Sequence, residues 1–548
     1  MTRREDGEPA AVAERTRQLG RATGESWDVV VVGGGIVGAG VLLDAVGRGL
    51  SAVLVEQGDI ASGTSSRSSR LIHGGLRYLE QFRFGLVREA LRERSRLLWL
   101  APHLVRLEPV LFPFSGPPIL ARGFYGSGLL LYDLLGARHD GGPARHLAKR
   151  ETLEWAPSLR AERVRGGIVY HDGVEDDARL ALAVTRTALA GGGLAVTRVR
   201  ATGVVEDAGR VAGVRVRDVI GGGEGVVRAR HVIDATGVWA AVPDHPLGGP
   251  GTRVLPSRGA HILLPRERLR SRSGLTVRMD GRVLFLVPWL EHWIVGTTDA
   301  PDRGSPDRPA ATAAEVDQLL RAVNRAFDAG VTRGDVVGTY AGLRPLIAPT
   351  HGGSTARVSR EHRVTTERNG LVRVSGGKYT TYRVMARDAV DRVVAVDGRR
   401  TPSATDRIRL TGAQDRDGLD ALAADLTGNG TALDSRVAGA IVARHGTEAR
   451  DVVALGVAEG LLAPIAGTAA IEAEVVWAVR CELALSIDDV LARRLRLAQV
   501  QPDRGASIAP RLAELMGAEL GWDEARRAQE VSDYLELAKR EYGIPEAV

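Results

Sequence analysis

Cysteine is almost absent: Cys481 is the single one in 548 residues. An intramolecular disulfide is therefore excluded, and no thiolate cluster can hold a metal. That usage fits a reducing, cytoplasmic compartment. Aromatic residues make up only 4% of the chain. No basic stripe with interleaved aromatics is present, which argues against nucleic acid as a partner. Long apolar runs are missing as well. The longest uncharged apolar stretch lies between Asp28 and Asp44, and Gly33, Gly34, Gly35, Gly38 and Gly40 interrupt it. Such a stretch is too short and too broken to span a bilayer, so any membrane contact is expected to be peripheral. Residues 1–26 are polar and charged, without the apolar segment of a secretory signal. They read as a disordered tail with only a weak helical pattern at 10–19.

What is present is typical of a globular protein: 44% hydrophobic and 26% charged residues, with a formal net charge of +6. The excess is Arg scattered along the chain. It suits an acidic substrate or an anionic membrane surface, although a solvated basic surface is the simpler reading. The length exceeds what one hydrophobic core supports, so two or three units are expected. Oligomeric state is left open, a homodimer among the options.

The texture changes abruptly at Trp27. The run Asp28-Val29-Val30-Val31-Val32 suits a buried parallel strand. Glycines follow, then a helical stretch at 36–46 and a second strand at 52–56, which is a βαβ start. Helical periodicity recurs at 82–100, 180–189, 313–327 and 381–394. Strand patterns occupy 195–205, 210–217, 226–234, 254–264 and 283–298. Pro- and Gly-rich text at 109–118 reads as a break in the chain. Beyond about 400 the pattern is almost entirely helical, most clearly at 472–497 and 523–542. The fold expected is α/β: a Rossmann-type nucleotide-binding domain in separated segments (27–100, 165–250, 340–400), an inserted β-sheet substrate domain (101–164, 251–339), and an all-helical C-terminal domain (401–548).

Gly33-Gly34-Gly35-Ile36-Val37-Gly38 fits G-x-G-x-x-G, with a strand before it, a helix after it and an acid at the end of the next strand. Gly33 permits the tight turn, Gly35 lets the backbone approach a pyrophosphate, and Gly38 lets helix and strand pack closely. The helix N-terminus offers N–H groups to the phosphates. Glu56, with Gln57 beside it, sits where a carboxylate accepts ribose hydroxyls. The loop alone does not separate FAD from NAD. The next segment, Thr64-Ser65-Ser66-Arg67-Ser68-Ser69-Arg70-Leu71-Ile72-His73-Gly74-Gly75-Leu76-Arg77-Tyr78-Leu79-Glu80, crowds hydroxyls onto a glycine-bearing loop. They can bond a pyrophosphate or the polar edge of an isoalloxazine.

That segment closely resembles the signature of the FAD-dependent glycerol-3-phosphate dehydrogenases, T-S-S-x-S-S-x-L-I-H-G-G-L-R-Y-L-E. The resemblance continues through Asp176-Asp177-Ala178-Arg179-Leu180, Asp234-Ala235-Thr236-Gly237-Val238-Trp239, Gly296-Thr297-Thr298-Asp299, Gly342-Leu343-Arg344-Pro345-Leu346 and Ser375-Gly376-Gly377-Lys378-Tyr379-Thr380. It reaches Met516-Gly517-Ala518-Glu519-Leu520-Gly521-Trp522 near the C-terminus. Only the tail before Trp27 falls outside it.

The resemblance implies FAD as cofactor and sn-glycerol 3-phosphate as substrate, with electrons passed to a quinone at the inner face of a cell membrane. The chemistry needs loss of the hydroxyl proton and transfer of the C2 hydrogen to flavin N5. Arg344 is implied to face the substrate; since Arg does not deprotonate, it orients rather than acts as a base. Arg360 and Lys378 match positions that bind the phosphate, and Arg77, Tyr78 and Thr297 match residues lining the same pocket. Ser359 and His362 depart from the family, which more usually has Thr and Tyr there. His261 aligns with a family histidine near the substrate and is the natural proton acceptor; a lone histidine in an apolar strand is otherwise a core residue. Flavin contacts are implied for Thr64, Ser65, Ser66, Ser69, His73, Ala235, Thr236, Gly237, Gly377, Lys378 and Thr380. The pair Asp176 and Asp177 is read as helix capping before 180–189, not as a general-acid pair. Two alternatives stay open: a glycerol-3-phosphate oxidase that uses O2, or a related amino-acid-type flavin oxidase; and a non-enzymatic dinucleotide-binding or nucleic-acid-associated flavoprotein.

Overall fold

The structure, a computed structural model, describes residues 9–75, 83–115, 142–242, 244–248, 254–279, 282–302, 304–348, 361–428, 433–465 and 467–546. Its first layer grows from the valine run. Val29, Val30 and Val31 are fully buried, because the strand Ser26–Val32 has neighbours on both edges and cover on both faces. It pairs in parallel with Ala52–Val55 on one side and Glu224–Asp234 on the other. Across the sheet the order is His362–Thr366, Val372–Gly376, Glu224–Asp234, Ser26–Val32, Ala52–Val55, Leu194–Val196. The hairpin Val199–Asp207 and Arg210–Asp218 extends it through Glu224–Asp234. The helix Ile36–Gly47 lies on this sheet, packed between Asp177–Ala190 and Tyr382–Val396. Each aliphatic side chain fully buried in that layer contributes roughly 1.5–3 kcal/mol.

A second, ten-stranded sheet stands beside the first. It runs Ala300–Pro301, Val254–Pro265, His292–Gly296, Arg282–Trp289, Gly274–Met279, Val105–Phe114, Gly166–Glu175, Leu71–Ile72. Gly338–Ile347 also pairs with Val254–Pro265, antiparallel over ten positions. Here the expectation of a chain break at 109–118 is corrected, because Val105–Phe114 is a continuous strand that contains Pro109 and Pro113. The two prolines are four residues apart, so both missing N–H donors fall on the same edge of the strand. Gly274–Met279 touches this strand only at Val110 and Leu111.

The C-terminal helices are Arg416–Gly428, Ser435–His445, Ala449–Glu459, Glu472–Cys481, Ala509–Leu520 and Glu524–Glu541. The expected single helix at 472–497 is broken after Cys481. Leu483 and Arg496 take positive φ, and Asp489 draws the N–H groups of Leu485 and Ser486 onto its carboxylate. A single wide π-turn, Asp489–Arg494, fills the gap. The expected tail is corrected too: Ala10–Gly24 is a helix. It packs on Leu194–Val196 and on Ala509–Leu520. Arg15 holds Asp218 at 2.6 Å, and the Trp27 indole donates to the Ala22 carbonyl. Its buried face is built on alanine, which is why its apolar pattern is faint.

Candidate active site

A cleft of about 1890 Å³ opens between the two sheets. The glycine loop forms one end. Gly33 has φ +111°, and a Cβ there would come within 2.7 Å of the Ala235 carbonyl oxygen. A Cβ on Gly38 would overlap the Gly33 carbonyl oxygen, so the helix can pack on the strand only without one. Gly33 and Gly35 face the cleft and Gly38 does not, which matches a packing role for the third glycine. Glu56 accepts the Gly34 N–H at 2.5 Å and the Gly58 N–H at 2.6 Å. Burial pushes its carboxyl above the usual range, and the two N–H donors work against that shift. Gln57 lines the cleft next to it.

The hydroxyl-rich loop crosses the cleft from this end to the second sheet. Ser65 Oγ accepts the Ile36 N–H at 2.9 Å and so caps the dinucleotide helix, whose N-cap Gly35 has no side chain to do it. Thr64 donates to the Leu343 carbonyl at 2.6 Å, which fixes the loop to the strand that carries Arg344. Ser69 Oγ stands 2.8 Å from His261 Nε2. Ser66 is buried outside the cleft wall, its hydroxyl turned back to the Gly63 carbonyl at 3.4 Å. His73 lines the cleft, edge-on to Phe285.

Strand register assembles the opposite wall. Val254–Pro265 places His261 across from Gly296 on one neighbour and Tyr340 on the other, and places Gly259 across from Gly342. Arg344 lies two positions beyond Gly342 on the same strand face. Its guanidinium donates to Thr297 Oγ1 at 2.9 Å and to the Thr298 carbonyl at 3.3 Å. Asp299, which accepts the Ser257 hydroxyl, stands 3.6 Å away. A Cβ on Gly259 would come within 2.5 Å of Thr297 Oγ1 and would overlap the Arg344 guanidinium, so a side chain there would displace Arg344 from this arrangement. His261 is 2% exposed and stacked on Tyr340 at 4.6 Å between ring centroids. Burial, with Arg344 and Arg70 nearby, lowers its pKa to about 3. It is therefore a neutral imidazole at any working pH.

The comparisons with known proteins follow this geometry. The sequence profile of FAD-dependent oxidoreductases matches residues 28–392, and that of the C-terminal domain of alpha-glycerophosphate oxidase matches 403–527. Glycerol-3-phosphate dehydrogenase 2 of Mycobacterium tuberculosis is 41% identical over 545 residues, 98% of this chain and 92% of its own. The probable mitochondrial glycerol-3-phosphate dehydrogenase of Caenorhabditis elegans is 38% identical, over 92% of this chain and 72% of its own. A solved glycerol-3-phosphate dehydrogenase from Bacillus halodurans, complexed with FAD, has a TM-score of 0.80 at 26% identity. The match covers 96% of this chain and 97% of that one. The chain belongs to the FAD-dependent glycerol-3-phosphate dehydrogenase family.

As a family member it is an FAD-dependent oxidoreductase, and its own residues fit that cofactor. The glycine loop leaves a cradle that a Cβ would fill, and a buried acid stands at the end of the next strand. Ala235, Thr236 and Gly237 line the same cleft. Thr236 is already engaged, donating to Asp234 at 2.6 Å, so its turn is set before any ligand arrives. Gly377, Lys378 and Thr380 line the far side, at the start of the short turn that leads into Tyr382–Val396. Thus the cations Arg344, from the strand Gly338–Ile347, and Lys378, from the loop after Val372–Gly376, line one cavity. Arg77, Tyr78 and Arg360 lie outside the described residues. Asp176 caps its helix, accepting the Arg179 N–H at 3.2 Å, whereas Asp177 is fully buried and takes Arg496 at 2.6 Å.

Sequence reading missed Asp299, Gly259 and Tyr340. The G-T-T-D text carries Asp299, and a glycine two residues before His261 was visible, but their roles exist only once three strands align.

Proposed function

We propose that this protein oxidises sn-glycerol 3-phosphate to dihydroxyacetone phosphate and passes the electrons to a quinone. One observation carries the reading. A fixed guanidinium, Arg344, and a neutral histidine, His261, share a wall of the cofactor cleft, with Lys378 across from them. Arg344 and Lys378, two of the cations that line this cavity, suit a phosphorylated substrate better than a zwitterionic one. FAD, when bound, accepts the C2 hydrogen with its electron pair at N5. The chain's own residues do the rest. Arg344 orients the substrate oxygen, held in direction by Thr297, Thr298 and Asp299. His261 offers Nε2, now shared with Ser69, to the departing hydroxyl proton. Lys378 and Arg360 anchor the phosphate, with Arg77 and Tyr78 completing the pocket. Glu56 receives the ribose, and the hydroxyls of Thr64, Ser65 and Ser69 edge the flavin.

The relatives' names support the substrate, and the net charge of +6 supports docking on an anionic membrane. No helix among the described residues is long and apolar enough to cross a membrane. The test of the acceptor combines two measurements. Turnover with glycerol 3-phosphate is compared for O2, quinone analogues and artificial dyes, alongside flotation on anionic and neutral liposomes at low and high salt. We expect quinone analogues to be reduced fastest and flotation on anionic liposomes to fall with salt. Faster O2 reduction, with no binding to either liposome, would replace the quinone reading by an oxidase.

A further inference from the structure

The hydroxyl-rich loop also reaches the C-terminal helical region, through side chains of which Arg67 lines the cleft as well. Residues 59–70 contain three charged side chains, Asp59, Arg67 and Arg70, and all three reach the C-terminal helical region. Asp59 takes Arg494 through both oxygens, at 2.7 and 2.8 Å, and takes Arg493 at 2.6 Å. Arg67 donates to Glu541 at 2.6 Å. Arg70 donates to Gln499 and lies over the Trp289 ring. Arg496 donates to the Ser66 carbonyl at 3.2 Å and to Asp177 at 2.6 Å. Asp177 in turn accepts the Ser68 N–H at 2.9 Å. Every one of these side chains is buried.

We propose that the C-terminal helical region is a positioning device for the flavin. It holds the loop 59–70 from behind, so that Thr64, Ser65 and Ser69 present their hydroxyls to the cofactor in fixed register. This rests on the reading of the cleft as the FAD site. A domain boundary needs only apolar area to adhere, and buried ion pairs add little net stability over apolar replacements. What they add is direction, since a bidentate arginine donates to its carboxylate in one geometry. One bidentate pair, Asp59 with Arg494, the ion pairs of Asp59 with Arg493 and of Arg67 with Glu541, and the bonds of Arg70 to Gln499 and of Arg496 to the Ser66 carbonyl together specify where the backbone of this twelve-residue loop runs. The break in the helical pattern at 482–496 follows from the same need. It brings Arg493, Arg494 and Arg496 to one face, which a regular helix of that length would scatter.

The experiment follows FAD release from the holoenzyme on dilution, by recovery of flavin fluorescence, with urea midpoints read on the same samples. In Glu541→Gln and Arg494→Met, release should quicken at least tenfold, and by more than any drop in folded fraction explains. The charge exchange Arg67→Glu with Glu541→Arg should bring release back to within about threefold of the parent. Release within twofold of the parent in both single variants would overturn the proposal, as would an exchanged pair that releases as fast as Glu541→Gln. Hydrogen exchange on the unaltered protein gives a second reading that needs no variant to fold. Removing FAD should speed exchange at 484–500 as well as at 59–70. Unchanged exchange at 484–500 would overturn the coupling while leaving the cofactor site standing. A parent protein that takes up no FAD would remove the site reading itself.

Discussion

Glu175 is fully buried and neither of its oxygens has a hydrogen-bond partner among the described residues. Burial, with Asp177 and Asp176 nearby, pushes its carboxyl well above the usual range. The folded state therefore holds this proton to higher pH than the unfolded state does. The linkage sign follows. Below the unfolded pKa the group costs nothing, and as pH rises above it the unfolded state gains by releasing the proton, so stability falls. Glu175→Gln should remove that slope. We expect it to raise unfolding free energy by about 1–3 kcal/mol at pH 8 and to change it little at pH 4. A urea titration at the two pH values checks this; equal midpoints for variant and parent at pH 8 would show that Glu175 is not held neutral. At this scale the sequence was legible wherever the role is local. The glycine spacing, Glu56 at the end of the second strand and Asp176 before its helix all sit beside what they serve. Ser65 was legible as a loop hydroxyl but not as a helix cap, because its partner Ile36 lies across the loop. His261 looked the same as a core histidine until Ser69, Tyr340 and Arg344 surrounded it.

Elements carry the next constraint. The dinucleotide helix meets its strand at Gly38, where any Cβ falls on the Gly33 carbonyl oxygen. That atom belongs to backbone, which cannot swing aside as a side chain end can. Gly38→Ala should therefore separate helix from strand at a cost of about 3 kcal/mol or more, and should strip the protein of FAD. Flavin content after gel filtration, with a thermal melt, checks both parts; a variant that keeps full flavin and parental melting would contradict the packing argument. Periodicity found most helices and strands here, because a valine run or an apolar stripe registers within one element. It failed in three informative places. Val105–Phe114 hides behind two prolines whose missing donors share an edge. Ala10–Gly24 hides because its buried face is built on alanine. The stretch at 472–497 reads as one helix because its polar break is made by Asp489 turning back on its own backbone.

At the scale of the molecule, two sheets meet along one cleft and a helical region closes over the loop that crosses it. The order of motifs made the family and the α/β plan legible, since each motif follows a strand or opens a helix. The pairing of distant strands was not legible, and the cleft wall is made of that pairing: His261, Gly296, Tyr340 and Arg344 come together by register alone. The account's central claim is that this wall presents sn-glycerol 3-phosphate to FAD. Anaerobic titration of the yellow protein with sn-glycerol 3-phosphate tests it most directly. We expect the flavin absorbance to bleach in proportion to substrate added, with glycerol itself ineffective at the same concentration and Lys378→Ala needing more substrate for the same bleaching. A protein that stays yellow with sn-glycerol 3-phosphate, yet bleaches with a chemical reductant, would contradict it.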